Sequence, residues 1–345
     1  MSQLVNVLII RSLGAESNRR IAEVSDRVKM VDVTRFMPES GSLKVMRPLW
    51  EVVAASGKTA DIEASARIRQ QFAEAEVMFG ITVTLDLASC APRLKWIQLV
   101  TAGVDYLPHT GLLSSEVTLT TARGVSDVPI AEYVIGAMLG HARGTLRCLD
   151  NKSARRWARF VGSELQGGTL GIIGLGSIGS EIARRIRSLG VNVVASDPYV
   201  SGDRARSVQA TLMPLEQLLA TSDYMVVTLP LTPETTKLIA GREFEMMKPS
   251  AFFVNVSRGA VIDESALVQA LRSGRIAGAA LDVYETEPLP RESPLWDIPN
   301  LYLSPHIAGS SGRHPERVTD LFCENLRRYV AGEPLVNVLD KKRGY

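Results

Sequence analysis

The chain has 345 residues, of which 46% are hydrophobic and 22% charged, a balance that excludes a disordered protein and leaves room for two domains. Its 39 Lys and Arg against 37 Asp and Glu leave a formal net charge of +2, which offers no basic field for nucleic acid or an anionic membrane. Three cysteines without a C-x-x-C pair argue against a disulfide scaffold and a structural zinc site. We therefore expect a globular protein with no nucleic-acid partner, no membrane partner and no metal.

The first residues indicate where the protein resides. Met1 to Arg11 runs into an apolar segment at residues 5–10 without a basic leader or a small-residue cleavage site, which favours a first strand over a signal peptide. No uninterrupted apolar run approaches the roughly 18 residues that a membrane span requires. These features predict a cytoplasmic protein.

Short apolar runs alternate with longer amphipathic stretches through most of the chain, the pattern of parallel sheets whose strands are joined by helices. In the first third, the predicted strands are residues 5–10, 30–33, 77–81, 96–100 and 117–121. A long connecting helix is predicted over residues 127–148, with Pro129 in its first turn. This part of the chain predicts a small α/β domain.

A second alternation follows the predicted helix. Its predicted strands are residues 169–173, 191–195, 225–229, 251–256, 277–281 and 301–304, which make a six-stranded α/β unit. Residues 313–329 are helical again, and we expect them to pack on the first domain because the second is already complete. The predicted fold class is α/β with two doubly wound parallel-sheet domains: a discontinuous one of residues 1–122 and 310–345, and one of residues 123–309.

A G-x-G-x-x-G motif lies directly after a predicted strand and before a predicted helix at residues 178–189. In such a motif, Gly174 allows a tight turn and Gly176 lets the backbone approach a pyrophosphate. Gly179 lets the helix pack on the sheet while its N-terminal amides face the anion. The glycines could also form only a turn, but the strand and helix around them favour a dinucleotide site.

An acidic residue follows the next predicted strand. Asp197 stands 18 positions after Gly179, where its carboxylate can accept hydrogen bonds from an adenosine ribose and would repel a 2′-phosphate. This favours NAD over NADP. Arg204 and Arg206 lie shortly downstream and could accommodate that phosphate, so the cofactor class is better determined than the preference between the two.

Three polar residues follow later strands of the second unit, at the edge where open α/β sheets bind ligands. Arg258 can hold a carboxylate of the 2-hydroxy or 2-keto acid type with two parallel hydrogen bonds. If Glu287 bonds His306, its charge favours the imidazolium, which can protonate a carbonyl and, once neutral, accept a proton from an alcohol. Each residue alone could be a surface or turn residue, but together they predict a reversible dehydrogenase. Structural roles are expected for the other histidines, His109, His141 and His314.

These segments resemble the D-isomer-specific 2-hydroxyacid dehydrogenase family along nearly the whole chain. The matching strings are GIIGLGSIG at 171–179, LPLTPET at 229–235, VNVSRGA at 254–260, LDVYETEP at 281–288 and SPHIAG at 304–309. The resemblance implies a Rossmann NAD-binding domain and a flavodoxin-like substrate domain, with a cleft between them that closes as the domains hinge. It also implies a homodimer built around the long helix after Pro129.

The resemblance also implies roles for individual residues. Arg258 would anchor the substrate carboxylate, Glu287 would tune the histidine, and His306 would be the general acid and base. The implied cofactor contacts are the amides of Ser177 and Ile178 at the pyrophosphate, Leu229, Pro230 and Thr235 around the adenosine, Val256 and Asp282 at the nicotinamide carboxamide, and Gly309 in the same pocket. The amides of Ala102 and Gly103 would bind the substrate carboxylate, although they could equally be only a turn before Asp105.

Departures from the family pattern narrow the expected substrate. The chain ends at Tyr345 without the regulatory domain of some phosphoglycerate dehydrogenases, which disfavours that substrate. Pro305 stands where formate-oxidising relatives have Gln, and Ala102 stands where the phosphite-oxidising branch has Lys. We expect a small acid of the glyoxylate or hydroxypyruvate type. Candidates for the walls around its C2 substituent are Met46, Arg47, Trp50, Phe79 and Ile81.

An alternative from a different functional class is an NADH-sensing binding protein, comparable to the corepressors that share this fold and keep the active-site residues. The fold alone does not separate the two. The complete set of Arg258, Glu287 and His306, and the absence of a long disordered tail, favour the enzyme.

Overall fold

The computed structural model of the protein describes residues 4–11, 13–34, 59–80 and 90–344. The chain divides into two compact units: unit 1 comprises Met1–Val125 and Gly312–Tyr345, and unit 2 comprises Ser126–Ser311. The boundaries predicted from sequence were 122/123 and 309/310. Among the described residues, no helix combines the length and the apolar character that crossing a bilayer requires.

Unit 1 is built on a five-stranded parallel sheet in the order β2-β1-β3-β4-β5. The strands are β1 (Val5–Ile9), β2 (Val28–Asp32), β3 (Val77–Gly80), β4 (Trp96–Leu99) and β5 (Thr118–Thr120). The first two helices in the described part of the chain are α1 (Ala15–Ala22) and α2 (Thr59–Glu74). This strand order is that of flavodoxin-like sheets, which confirms the predicted class of this unit.

Unit 2 is built on a seven-stranded parallel sheet in the order β12-β11-β10-β9-β6-β7-β8. Its strands are β6 (Thr169–Ile173), β7 (Asn192–Ser196), β8 (Thr211–Leu212), β9 (Tyr224–Val227), β10 (Phe252–Asn255), β11 (Gly278–Leu281) and β12 (Leu301–Leu303). Its helices are α3 (Asp127–Ala142), α4 (Thr145–Ser153), α5 (Ser177–Ile186), α6 (Gly202–Ser207), α7 (Leu215–Thr221), α8 (Gly241–Met246) and α9 (Glu264–Arg272). The order reverses between β6 and β9, which is the switch point where Rossmann sheets bind ligands.

Two details of unit 2 differ from the sequence prediction. The sheet has a seventh strand, β8, because Thr211–Leu212 pairs with β7 over two residues, a length too short to produce a hydrophobic run. The helix predicted over residues 127–148 is two helices, because Gly144 adopts a left-handed φ of 67° between α3 and α4. A β-carbon on Gly144 would lie 2.5 Å from the ring of Phe160, so the break also makes room for that side chain.

The chain returns to unit 1 in the last helix, α10 (His314–Ala331). The ring of Phe322 lies 4.5 Å from that of Phe79 and 5.4 Å from that of Trp96, measured between centroids. Beside these rings, buried Asn325 donates to the side-chain oxygen of Gln98 at 3.0 Å. The helix therefore completes the core of unit 1 with both apolar contacts and a satisfied buried hydrogen bond.

This core corrects one expectation about the substrate pocket. Phe79 is fully buried against α10, so it is a core residue and not a wall of a binding site. The other four candidates, Met46, Arg47, Trp50 and Ile81, lie outside the described residues.

Candidate active site

The glycine motif forms the turn from β6 into α5, at the switch point of the unit 2 sheet. Gly174 has a left-handed φ of 97°, and a β-carbon there would lie 2.8 Å from Leu229. A β-carbon on Gly179 would lie 2.3 Å from the carbonyl oxygen of Gly174, so only glycine lets α5 approach the turn this closely. A β-carbon on Gly176 would meet nothing within 4 Å. Protein packing gives no reason for a glycine at 176, whereas close approach of a pyrophosphate does.

The start of α5 is suited to an anion. No side chain caps this helix, whose first residues are Ser177 and Ile178, so its first amides are available to a ligand at the positive end of the helix dipole. The hydroxyl of Thr228 donates to the carbonyl oxygen of Gly174 at 2.6 Å and holds the turn in place. Sequence reasoning missed Thr228. The one feature of the sequence that could have indicated it is its position directly after a strand at the switch point.

Asp197 follows β7 directly and turns its carboxylate toward the glycine turn. Its Oδ2 accepts the amide of Leu175 at 2.8 Å, and its Oδ1 accepts the amide of Tyr199 at 2.9 Å. Each carboxylate oxygen has a second lone pair, so both can accept a further hydrogen bond. This placement fits the predicted contact with a ribose diol.

Arg204 approaches the same turn from α6. Its Nε donates to the carbonyl oxygen of Leu175 at 3.2 Å. Asp197 therefore bonds the amide, and Arg204 the carbonyl oxygen, of the same residue in the glycine turn. Arg206 instead forms an exposed ion pair with Asp203. Of the two arginines considered from sequence, Arg204 is the one that the structure brings to the turn.

The remaining predicted adenosine-side residues lie in the segment after β9. Leu229 packs on the glycine turn, because a β-carbon on Gly174 would lie 2.8 Å from its side chain. The hydroxyl of Thr235 donates to the carbonyl oxygen of Pro230 at 2.7 Å and accepts the amide of Thr232 at 2.8 Å, which closes a compact turn. The contacts of these residues with a nucleotide stay a prediction.

Arg258 lies three residues beyond β10 and is half-buried. Its Nη1 donates to the carbonyl oxygen of Ser257 at 2.7 Å, and the side chain of Asn255 donates to the carbonyl oxygen of Arg258 at 3.0 Å. Val256, predicted to contact the nicotinamide, is buried at the start of the same turn. Hydrogen bonds therefore fix the turn through both the guanidinium and the backbone carbonyl of Arg258.

Glu287 and His306 form a hydrogen-bonded pair. Strands β10, β11 and β12 are parallel neighbours, so the segments that follow them emerge at one edge of the sheet. Glu287 Oε2 lies 2.8 Å from His306 Nδ1, and Glu287 Oε1 accepts the amide of Tyr284 at 3.0 Å. The side chains of His306 and Glu287 are 47% and 36% exposed. Because Nδ1 faces the carboxylate, Nε2 is the nitrogen left to exchange a proton.

Asp282 anchors the loop that carries His306. The carboxylate is 2% exposed and accepts the amides of Ile307 and Ala308 at 2.8 Å each, and the hydroxyl of Ser304 at 2.6 Å. These partners lie on both sides of His306, whose φ is 54°. The resemblance assigned Asp282 to the nicotinamide alone and did not identify this anchoring contact. Gly309, at the end of the loop, would place a β-carbon 3.3 Å from Ser126.

The other histidines have different surroundings. The ring of His141 stacks on Phe252 at 4.2 Å between centroids, and burial lowers the pKa of His141. Burial and then the charges of Arg11 and Arg317 lower the pKa of His314, at the start of α10. The side chain of His109 lies outside the described part of the chain.

The predicted second contact with a substrate carboxylate lies in unit 1. Ala102 is exposed and Gly103 is half-buried, in the segment that follows β4. Their amides are placed on a loop after a strand, as expected. Their role in binding a carboxylate stays a prediction.

Comparison with known proteins identifies relatives of this chain. Residues 135–308 match the family model of the D-isomer specific 2-hydroxyacid dehydrogenase, NAD binding domain. The chain is 30% identical over 322 residues to the glyoxylate reductase of Korarchaeum cryptofilum, covering 90% of this chain and 96% of that protein. It is 36% identical over 260 residues to the D-3-phosphoglycerate dehydrogenase of Archaeoglobus fulgidus, covering 75% of this chain but 49% of that relative, about half its length.

A solved structure is similar over the full length. The D-isomer specific 2-hydroxyacid dehydrogenase from Xanthobacter autotrophicus Py2, in complex with NADPH and MES, has a TM-score of 0.77 and 26% identity, with 100% of each chain covered.

Proposed function

This chain belongs to the D-isomer-specific 2-hydroxyacid dehydrogenase family, and on that premise we propose that it transfers a hydride between a nicotinamide cofactor and C2 of a small D-2-hydroxy or 2-keto acid. The proposed substrates are of the glyoxylate or hydroxypyruvate type. The observation that carries the proposal is the hydrogen bond of 2.8 Å between Glu287 and His306, which holds an imidazole at the sheet edge where Arg258 also lies. Such a pair supplies the proton exchange that hydride transfer to a carbonyl requires.

The chemistry divides between the cofactor and the protein. The nicotinamide, when bound, supplies or accepts the hydride. His306 Nε2 donates a proton to the carbonyl oxygen during reduction and accepts the hydroxyl proton during oxidation. Glu287 orients the ring through Nδ1 and stabilises the imidazolium with its charge. Arg258 holds the substrate carboxylate with charge-assisted hydrogen bonds, so that C2 is presented in a fixed orientation.

The residues around the glycine turn fit a dinucleotide. Gly176 leaves open space where a pyrophosphate would approach, and the uncapped start of α5 offers amides to it. Asp197 supports NAD as the cofactor. Arg204 binds the same turn and the Xanthobacter relative was solved with NADPH, so both cofactors belong in the test.

We further propose that the protein is a homodimer that uses the segment after α4. Trp157 and Val161 are 96% and 98% exposed. Between them, Phe160 is fixed against Gly144, and the guanidinium of Arg147 lies 4.5 Å from its ring centroid. A segment anchored at one aromatic ring that presents neighbouring apolar side chains to solvent is typical of a surface that a partner covers. A second copy of this chain is the partner that the family resemblance implies.

A substrate panel tests the proposed reaction. Oxidation of NADH and of NADPH is followed with glyoxylate, hydroxypyruvate, pyruvate and bulkier 2-keto acids, and turnover is expected with at least one of the small acids. Binding of NADH is measured in parallel by fluorescence. Tight NADH binding with no turnover across the panel would overturn the enzyme proposal and favour an NADH-sensing protein.

A further inference from the structure

The loop that carries His306 is fastened to helix α3 as well as to the sheet. Tyr133 lies on α3, and its hydroxyl is 2.8 Å from the hydroxyl of Ser304. The Ser304 hydroxyl is in turn 2.6 Å from Oδ1 of Asp282. A carboxylate only accepts, so Ser304 donates to Asp282, and its hydroxyl is shared with that of Tyr133. Hydrogen bonds through Ser304 therefore connect α3 with the buried carboxylate.

Asp282 is bonded to residues on both sides of the histidine. It accepts the hydroxyl of Ser304, which precedes His306, and the amides of Ile307 and Ala308, which directly follow it. His306 itself has a φ of 54°, a left-handed backbone conformation that is uncommon for residues other than glycine. Such a conformation persists where the surrounding contacts determine it. The bonds from the amides of Ile307 and Ala308 to Asp282 are among the described contacts that do so here.

A second hydroxyl holds the same loop at a different atom. Tyr284 donates to the carbonyl oxygen of Ser304 at 2.8 Å, so the backbone and the side chain of Ser304 are held separately. Burial raises the pKa of Tyr133, so its hydroxyl stays protonated throughout the neutral range. The two tyrosines thus fix Ser304 from the helix side and from the strand side.

We propose that Tyr133 is a positioning residue for His306, acting through Ser304 and Asp282 to hold the left-handed loop that turns the imidazole toward Glu287. The proposal deepens the proposed function and rests on it wherever turnover is measured. Tyr133 touches neither partner of the proton-exchanging pair in the described contacts, so its effect is indirect.

The test compares Tyr133→Phe with Tyr302→Phe. Tyr302 is a second half-buried tyrosine of unit 2, and its ring packs edge-to-face on that of Phe252 at 5.9 Å between centroids. In Tyr133→Phe, we expect the amides of Ile307 and Ala308 to exchange with deuterium about fivefold to tenfold faster, the size of one lost buried hydrogen bond. We expect kcat to fall by a similar factor while the KM for NADH stays within about twofold. Tyr302→Phe should leave the exchange rates, kcat and KM at the wild-type values.

A double variant tests the route through Ser304. If Tyr133 acts through that hydroxyl, Tyr133→Phe combined with Ser304→Ala should be no worse than Ser304→Ala alone. The proposal would be overturned if the effects of Tyr133→Phe and Ser304→Ala multiplied in the double variant. It would also be overturned if the two amides exchanged equally fast in Tyr133→Phe and Tyr302→Phe. If the wild-type protein shows no turnover, the proposed function fails, but the exchange of the two amides still decides the positioning role.

Discussion

A β-carbon on Gly259 would lie 1.8 Å from the carbonyl carbon of Tyr284, so the turn after β10 lies directly on the backbone after β11. Arg258 immediately precedes this contact, and the amide of Tyr284 is bonded to Glu287. The glycine therefore joins the proposed substrate-anchoring arginine to the glutamate that pairs with His306. No side chain intervenes, which makes the spacing of these two loops sensitive to a single methyl group.

Gly259→Ala should disrupt both loops. The nearest atoms are backbone atoms that cannot swing aside, so we expect the free energy of unfolding to fall by about 1–3 kcal/mol. Turnover should fall by about tenfold or more, because displacement of a positioning element by an ångström is that costly. Chemical denaturation and steady-state kinetics measure the two effects. Gly241→Ala is the control, because a β-carbon there meets nothing within 4 Å. Equal behaviour of the two variants would contradict the close contact.

His306→Ala should remove turnover and spare cofactor binding. Loss of a general acid costs on the order of a thousandfold in kcat. The histidine lies after β12 and the glycine turn after β6, so we expect the Kd for NADH, measured by fluorescence titration, to stay near that of the wild type. Turnover at the wild-type rate would refute proton exchange by His306.

Glu287→Gln should slow the reduction. Glu287 Oε2 lies 2.8 Å from His306 Nδ1, where it orients the ring and places a negative charge beside it. Gln keeps the shape of the side chain but removes the charge, so we expect kcat to fall by about tenfold or more while the Kd for NADH stays near that of the wild type. The matched control is Glu285→Gln in the same loop, whose carboxylate accepts the amide of Glu264 at 3.4 Å. A kcat in Glu287→Gln equal to that in Glu285→Gln would count against the pairing.

Arg204→Ala should alter the use of the two cofactors unequally. Arg204 binds the glycine turn beside Asp197, where a 2′-phosphate would be placed, so its loss should raise the KM for NADPH by about fivefold or more. The KM for NADH should change little. Arg206→Ala serves as the control, because Arg206 pairs with Asp203 away from the turn. A parallel change for both cofactors in Arg204→Ala would show that the arginine only supports the turn.

Trp157→Glu should weaken the proposed homodimer. Placing a charge at a fully exposed indole position is tolerated in a monomer but costly in an interface from which water is excluded. Sedimentation velocity should show a shift toward monomer at micromolar concentration. Trp296→Glu is the control: this tryptophan is 54% exposed in the same unit and bonds the carbonyl oxygen of Pro290 at 2.8 Å. A dimer of undiminished stability in Trp157→Glu would place the interface elsewhere.

Much of the fold is readable from local sequence patterns. The strand predicted at 169–173 coincides with β6, and other strands of unit 2 differ at their ends by one or two residues. Strand β8 escaped prediction because its two residues pair with β7 without forming a hydrophobic run. The break at Gly144 escaped because an isolated glycine in a helical pattern does not reveal that an aromatic ring, that of Phe160, occupies the space beside it.

The sequence by itself determined the α/β class, the glycine turn, and the positions of Arg258, Glu287 and His306 after successive strands, because periodicity and turn chemistry are properties of neighbouring residues. Only the tertiary structure decided that Arg204 and not Arg206 reaches the glycine turn, and that Tyr133 holds Ser304. Tyr133 and Ser304 lie 171 positions apart, and their contact exists only because α3 packs beside the loop after β12. A hydrogen bond between residues so far apart leaves no trace in local patterns, since it depends on where folding places two separate elements.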